Sequence, residues 1–296
     1  SMDGFIRAHG PIDLHLHSNV SDGTGTPAQV VRDAFAAGVR TMALTDHDTA
    51  DGWDEATWEC QRLGMTFIPG MEFSTRVEGG SVHMLAYLFD PSDEGLRTEM
   101  KRLVRERGSR LEVMTKLLSE DFDITWDDVL AQSQDGTTLG RPHLADALIQ
   151  KSIVQSRQEA FETMLHSSQR YYIPTPATDP VTAARLIRGA GGVPIIAHPA
   201  SNRRGRVVPR EYFLQLHAAG LAGFELGHRE KVPEGVAKLQ TYVDEFDLIV
   251  TGSSDYHGTG KPNQPGERNT LPEMLVRIIE QGVGANPVYP VQPFEG

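Results

Sequence analysis

The sequence contains one cysteine, no apolar run approaching membrane-spanning length, and fewer basic than acidic residues. A single thiol excludes an internal disulfide, and nothing else points to an oxidising compartment. On its helical pattern, Cys60 reads as a small apolar side chain. Without about 20 consecutive apolar residues no membrane helix is expected. No charged segment followed by an apolar stretch opens the chain as an export signal would, so the cytoplasm is the expected location. The 28 Lys and Arg against 40 Asp and Glu leave a formal charge of −12, which excludes a surface that coats nucleic acid. A glycine-rich phosphate loop of either common type is also missing, which removes the nucleotide-binding sheet folds as rivals. At 296 residues, 39% hydrophobic and 23% charged, the chain reads as a soluble globular protein: one large domain, or a domain with an insertion.

What is present is a set of histidines and acids placed after short apolar runs. In Ile12-Asp13-Leu14-His15-Leu16-His17, the two histidines are two apart, so on a strand both point to one face. Asp22 follows in a Ser/Gly loop able to close over them. Imidazole plus carboxylate suits a divalent first-row ion such as zinc, manganese or iron. One His-x-His pair is a weak signal, but the arrangement recurs. His47 follows Thr41–Leu44, Glu72 follows Thr66–Pro69, His198 ends Val193–Ala197, and Asp255 and His257 follow Leu248–Gly252. In a barrel of β-α units, the C-terminal ends of the strands are where chemistry sits. His83 breaks that rule by lying near the start of Val82–Leu88. It reaches the same place if this strand runs antiparallel to its predecessor, across a hairpin tip at Glu78-Gly79-Gly80. Asp22, Glu72 and Asp255 together carry −3, so two divalent ions would already make the pocket positive and fit for an anionic substrate.

Helix signals lie between these strands. Thr26-Pro27 and Asp179-Pro180 each read as an N-cap followed by a first-position proline, and Gly38 and Gly64 as helix stops. From about Pro91 to Pro176 the alternation ceases: a long charged amphipathic stretch, Leu96–Leu118, precedes three shorter helical segments. An all-helical block inside an α/β chain reads as an inserted subdomain. The expected division is therefore residues 1–90 and 177–296 as a seven-stranded, closed or nearly closed barrel, with 91–176 inserted.

These motifs together resemble the PHP (polymerase and histidinol phosphatase) family, in particular its bacterial metal-dependent phosphoesterase branch. The matches are His15-Leu16-His17-Ser18 with Ser21-Asp22-Gly23, Thr45-Asp46-His47-Asp48, Gly70-Met71-Glu72, Val82-His83, Ala197-His198-Pro199 and Gly252–Gly258. The resemblance implies a distorted (β/α)7 TIM-like barrel with a helical cap. It also implies two to three divalent ions (manganese, iron or zinc) on nine ligands. His15, His17 and Asp255 would hold one, Glu72 would bridge to a second on His83 and His198, and Asp22, His47 and His257 would hold the third. Glu72, Asp255 and His198 are the expected catalytic positions, and Asp48 a supporting or substrate-side group. Gly140-Arg141-Pro142-His143 matches a family motif in the cap, which makes Arg141 and His143 candidate substrate contacts; Arg170 and Arg203 are weaker ones.

The alternatives are an exposed helix-start arginine at Arg141 and a solvated basic loop at Arg203, Arg204 and Arg206. His9, His166, His217 and His228 read as structural or surface residues, and Trp53, Trp58 and Trp126 as packing residues. The implied activity is hydrolysis of a small phosphorylated compound. Nucleotides are favoured: 3′,5′-bisphosphonucleotides with an AMP-like product, or the 5′ ends of short RNA. Rivals are a histidinol-phosphate phosphatase, a cyclic-phosphate diesterase and a non-catalytic metal-stabilised module. Neither a membrane nor a stable protein partner is implied.

Overall fold

Seven short strands, one after another in the chain, curl into a nearly closed barrel. The computed structural model describes residues 4, 6, 9–77, 80–133, 139–201 and 207–291. The strands are β1 (Ile12–Asp13), β2 (Thr41–Leu44), β3 (Thr66–Val77), β4 (Gly80–Tyr87), β5 (Val193–Ile196), β6 (Gly223–Gly227) and β7 (Ile249–Gly252), paired in that order. Pairing is parallel except at β3–β4 and β4–β5. The antiparallel β4 thus starts where its neighbours end, which brings His83 to the ligand-bearing end. The loops after β1 and β7 draw the sheet together: His17 N–H donates to Tyr256 O at 2.8 Å, and Leu16 bridges Tyr256.

Two strands differ from their sequence reading. β3 does not stop at Pro69; it runs twelve residues and changes partner, pairing with β2 through Pro69 and with β4 from Gly70 onward. Glu72 therefore stands mid-strand. A side chain at Gly70 would press on Thr45 Cγ2 and the Tyr87 ring at 3.0–3.1 Å, so glycine fits the crossover point without displacing either. Conversely, β1 is only two residues long, and His15 and His17 lie on the extended segment beyond it.

Ten helices occur among the described residues: α1 (Pro27–Ala36), α2 (Trp53–Leu63), α3 (Glu94–Ser119), α4 (Trp126–Leu130), α5 (Arg141–Gln150), α6 (Arg157–Glu162), α7 (Pro180–Gly189), α8 (Arg210–Ala218), α9 (Pro233–Phe246) and α10 (Pro272–Gln281). Their starts follow the expected chemistry. Thr26 Oγ1 accepts from Gln29 N–H at 3.1 Å and Asp179 Oδ2 from Thr182 N–H at 3.0 Å. Each such cap stabilises by about 0.5–2 kcal/mol. Gly64 ends α2 in the left-handed conformation, φ 73°. None of these helices is long and apolar enough to cross a membrane.

The chain divides into two compact units, Ser1–Thr98 with Thr178–Gly296, and Glu99–Ala177. In the first, Ile12, Leu14, Ile68, Ile195 and Ile249 pack with Leu275 and Ile278 of α10. Each fully buried side chain of this kind contributes about 1.5–3 kcal/mol. A second cluster sets Val30, Val31 and Ala34 of α1 and Cys60 of α2 against Met42, Leu44 and Phe67. Cys60 is buried and its thiol is pushed up to about 12 by that burial, so it packs as the apolar residue expected. Trp58 does not pack; it is 74% exposed, on the face of α2 opposite the buried Ala56 and Cys60. The second unit is helical and closes on Leu111, Met114, Leu118, Leu144 and Leu148.

Candidate metal centre

Scaffolding acids hold the loops that carry the candidate ligands. Asp46, at the end of β2, accepts from Ser18 N–H at 2.7 Å, Ser18 Oγ at 2.6 Å and Ser21 Oγ at 2.7 Å. These bonds fold the segment leading to Asp22. Gly23 completes that turn, since a Cβ there would lie 2.5 Å from His17 O. Asp48 accepts from Ser74 N–H and Oγ at 2.7 and 2.6 Å, so its carboxylate braces β3 beyond Glu72. Asp13 accepts from Ser254 N–H and Gly266 N–H, tying the loop after β7 to β1. Asp48, His198 and Asp255 have left-handed backbones (φ 58°, 32° and 59°). Strain of about 1–3 kcal/mol per such residue persists only where the surroundings enforce it, and it clusters at functional sites.

Glu72 sits at the centre, nearly fully buried. Its Oε1 lies 2.9 Å from His15 Nε2 and 2.8 Å from His17 Nε2. Its Oε2 lies 2.9 Å from His83 Nδ1 and 3.5 Å from His198 Nε2. Asp255 Oδ1 is 3.1 Å from His15 Nε2 and 3.4 Å from His17 Nε2. Asp22 faces His47 at 3.3 Å and His257 at 3.2 Å, with His17 Nδ1 at 3.5 Å. All nine residues therefore converge. Three overlapping sets have donor atoms mutually within 4.8 Å: His15, His17, Glu72 and Asp255; His47, Glu72 and His83; and His17, Asp22, His47 and His257.

The donor set fits divalent ions. Two ligand atoms at bonds of about 2.0–2.2 Å round one ion stand roughly 3–3.5 Å apart, and these pairs already do. His17 Nδ1, Asp255 Oδ1 and His257 Nε2 are buried with no hydrogen-bond partner, which is costly unless a cation meets them. His257 donates its Nδ1–H to Asp255 O at 2.7 Å and keeps Nε2 bare towards Asp22. Burial, with His17 nearby, lowers its pKa.

Elsewhere protons balance the carboxylates. Burial opposes the charge on His17, yet the carboxylates of Asp255 and Glu72 beside it push it up to about 10. Burial likewise opposes the charge on Glu72 and Asp22, yet the histidines hold both well below the usual carboxylate range. A raised histidine stabilises the fold fully below its unfolded value of 6.5, and that stability is lost as pH rises through about 10. The lowered acids contribute above their ordinary values of 3.8 and 4.5 and lose this only in acid. Metal-free protein should therefore be most stable near pH 5–6.5 and lose melting temperature steadily towards pH 10, whereas metal-loaded protein should hold its Tm there. Because the ions displace these protons, calorimetry in buffers of different ionisation enthalpy should show proton release on metal binding. A metal-free Tm that is flat from pH 6.5 to 10 would contradict this electrostatic picture.

Two site residues escaped the sequence reading. Glu225 in β6 accepts the Nδ1–H of His15 at 2.7 Å and the backbone N–H of His198 at 2.9 Å. This leaves His15 Nε2 bare towards Glu72. His228 is not a bland histidine: it is buried, and its Nδ1 accepts from Glu230 N–H at 3.1 Å. Its Nε2–H is thereby fixed as donor to Asp255 Oδ2 at 3.1 Å. Partners of this kind orient metal ligands, and their loss costs about 10–100-fold in metal affinity. His166 and His217 are as bland as expected: one bonds Ser168, the other packs on Phe213 and Phe246.

The expected substrate contacts have mixed placements. Arg141, at the start of α5, donates to Leu165 O at 3.1 Å and lies over the rings of Phe161 and Tyr172. His143 Nδ1 accepts from Gly140 N–H at 2.9 Å, so that nitrogen caps α5. Arg170 is gripped by Glu120 and Asp121, and a guanidinium shared between two carboxylates is a poor phosphate receptor. Arg203, with Arg204 and Arg206, lies outside the described residues.

Comparison with known proteins points the same way. The model of the PHP domain matches residues 13–173. A 5′-3′ exoribonuclease of Haemophilus influenzae is 33% identical over 249 residues, 83% of this chain and 89% of the relative. A 3′,5′-nucleoside bisphosphate phosphatase of Chromobacterium violaceum is 29% identical over 263 residues, 88% and 92% of the two chains. A crystal structure from Bifidobacterium adolescentis, described as a metal-dependent phosphoesterase, superposes with a TM-score of 0.84 at 40% identity, covering 92% of this chain and 96% of its own.

Proposed function

From the chain's membership of the PHP domain family, whose relatives here are phosphoesterases, we propose that this metal-dependent phosphoric ester hydrolase acts on small nucleotides. The substrate is a 3′,5′-bisphosphonucleotide, cleaved to inorganic phosphate and an AMP-like product. The relative from Chromobacterium violaceum supports that choice by name. The 5′ end of a short oligoribonucleotide is the second reading, favoured by the 33% identical exoribonuclease.

The observation that carries the reaction type is the position of Glu72, whose two oxygens face two different histidine sets. In the proposed partition, His15, His17 and Asp255 would hold one ion and His83 and His198 a second, with Glu72 facing both sets. Asp22, His47 and His257 would hold a third. Manganese, iron or zinc suits such nitrogen and oxygen donors. Ions there supply Lewis acidity and lower the pKa of water towards neutrality. The protein's own part is to fix spacing and charge: Glu225 and His228 orient His15 and Asp255, and Glu72 presents one oxygen to each histidine set. Attack of a water oxygen on phosphorus breaks the P–O bond to the alcohol, leaving phosphate and the free hydroxyl. With its lone thiol buried, the chain suits a reducing compartment such as the cytoplasm.

The test is a panel assayed on metal-quantified protein: 3′,5′-bisphosphoadenosine, a 5′-phosphorylated dinucleotide, a 2′,3′-cyclic nucleotide, histidinol phosphate and an aryl phosphate. The bisphosphonucleotide should give the highest kcat/KM; preference for histidinol phosphate or the cyclic ester would overturn the nucleotide reading. Arg141 offers a finer check. If it holds a phosphate other than the one cleaved, Arg141→Ala should impair the bisphosphonucleotide by one to two powers of ten and the aryl phosphate only mildly. A charged hydrogen bond of this kind is worth about 1.5–3 kcal/mol. Arg141→Lys should recover little, since a point charge lacks the fork. Equal losses on both substrates would mean that Arg141 touches the reacting phosphate or only supports α5.

A further inference from the structure

Strand β6 supplies none of the candidate ligands, yet Glu225 and His228 both turn towards the metal centre. In a regular strand, residues three apart face opposite sides. Here the register slips: Glu225 pairs with Thr251 and Gly227 with Gly252, two steps along β6 against one along β7. This β-bulge at Leu226 brings His228, just past the strand, to the side that Glu225 faces. Gly227 lets the bulge close on β7, since a Cβ there would lie 2.7 Å from Gly252 Cα.

The two side chains do not serve one ion set each. Glu225 Oε2 accepts the Nδ1–H of His15 at 2.7 Å, and Oε1 accepts the backbone N–H of His198 at 2.9 Å. One buried carboxylate thus holds a residue of the first set and a residue of the second. The second hold matters because the His198 backbone is left-handed, φ 32°, which a residue other than glycine keeps only where its surroundings enforce it. His228 repeats the arrangement. Its Nε2–H donates to Asp255 Oδ2 at 3.1 Å, and its ring stands edge-on to that of His198, with centroids 5.3 Å apart.

We propose that β6 couples the two ion sites through Glu225 and His228, so that filling one tightens the other. The coupling rests on the proposed division of the ligands among the ions. When Nε2 of His15 is ligating, its Nδ1–H becomes a stronger donor and fixes Glu225 more firmly. The same carboxylate then holds His198 in its strained posture, so that ordering is not required again when the second set fills. His228 acts likewise between Asp255 and the His198 ring. Both are positioning residues, since neither faces an ion itself. Glu72 also faces both sets, so the coupling that survives without Glu225 is its share.

The test is a double-mutant cycle read by metal binding. Manganese is titrated into metal-stripped, full-length protein by equilibrium dialysis, with and without His83→Ala, which disables the second set. In the wild-type background, His83→Ala should weaken one of the remaining ions by about 5–150-fold, the usual size of coupling between sites. Glu225→Gln keeps the shape but turns an amide donor on one of its two N–H partners. In that background the penalty of His83→Ala should shrink several-fold. Should Glu225→Gln fail to fold, Glu225→Asp keeps the charge without the reach to both donors, and the same shrinkage is expected. A merely structural Glu225 would lower the metal-free Tm and leave the His83→Ala penalty unchanged. That unchanged penalty, in protein binding at least two ions, overturns the coupling and leaves the division of ligands standing. Wild type that binds fewer than two ions would sink the division itself, and the coupling with it.

Discussion

Glu72→Gln is expected to lower kcat on the order of a thousandfold or more while the barrel still folds. The substitution keeps the shape of the side chain but changes what its two ends can do. Glu72 presents one oxygen to His15 and His17 and the other to His83 and His198, all within 3.5 Å. A carboxylate serves both sets as an acceptor and contributes a negative charge. The amide of glutamine keeps one oxygen and turns two N–H donors on the other set. Whichever way it flips, one pair of imidazoles meets a donor where an ion was to be shared. Losing that charge should also loosen the metal pair, so ion content must be measured on the same preparation. Folding should survive because Asp46, Asp48 and Asp13 hold the surrounding loops through bonds that do not involve Glu72. The check is kcat at saturating substrate with manganese, iron or zinc in excess, beside a melting curve. Turnover near that of wild type would show that the ions are not shared through this residue.

What could be read from the chain follows from which physical signals are local. The strands and their terminal histidines are legible because each apolar run is short and the polar residue follows directly, as at His47 and His198. The antiparallel course of β4 was legible from His83 alone, since no other direction brings it to the same end. The length of β3 was hidden, because a proline at 69 reads as an end and the change of pairing partner at Gly70 is a tertiary event. Glu225 was missed although it carried a signal: a lone carboxylate between Phe224 and Leu226 in a buried strand must meet a partner. His228 was dismissed although it follows its strand as closely as His198 follows β5. Its role depends on Glu230 N–H fixing the tautomer, which no spacing rule reveals.

Stripping the divalent ions should abolish phosphoesterase activity and lower the melting temperature, by more at alkaline than at mildly acidic pH. The first effect follows because the described histidines and acids at the centre face one another and hold charge in place, so the attacking water would depend on the ions for its activation. The second follows from mass action. An ion that binds only the folded state stabilises it by about 4.1 kcal/mol at a thousand times its dissociation constant. The pH dependence follows from what replaces the ions. At pH 6, protons on His15, His17, His47 and His198 can offset Glu72, Asp22 and Asp255, since all four histidines are raised against the opposing effect of their burial. As pH rises towards 10 the proton on His17 leaves, and the buried carboxylates beside it face one another with less charge between them. The loss of Tm on chelation should therefore widen as pH rises from 6 to 9. Activity should return on adding manganese, iron or zinc, with two to three equivalents bound by elemental analysis. Full activity in protein verified as metal-free, or less than one equivalent bound after reconstitution, would refute the metal assignment of the whole cluster.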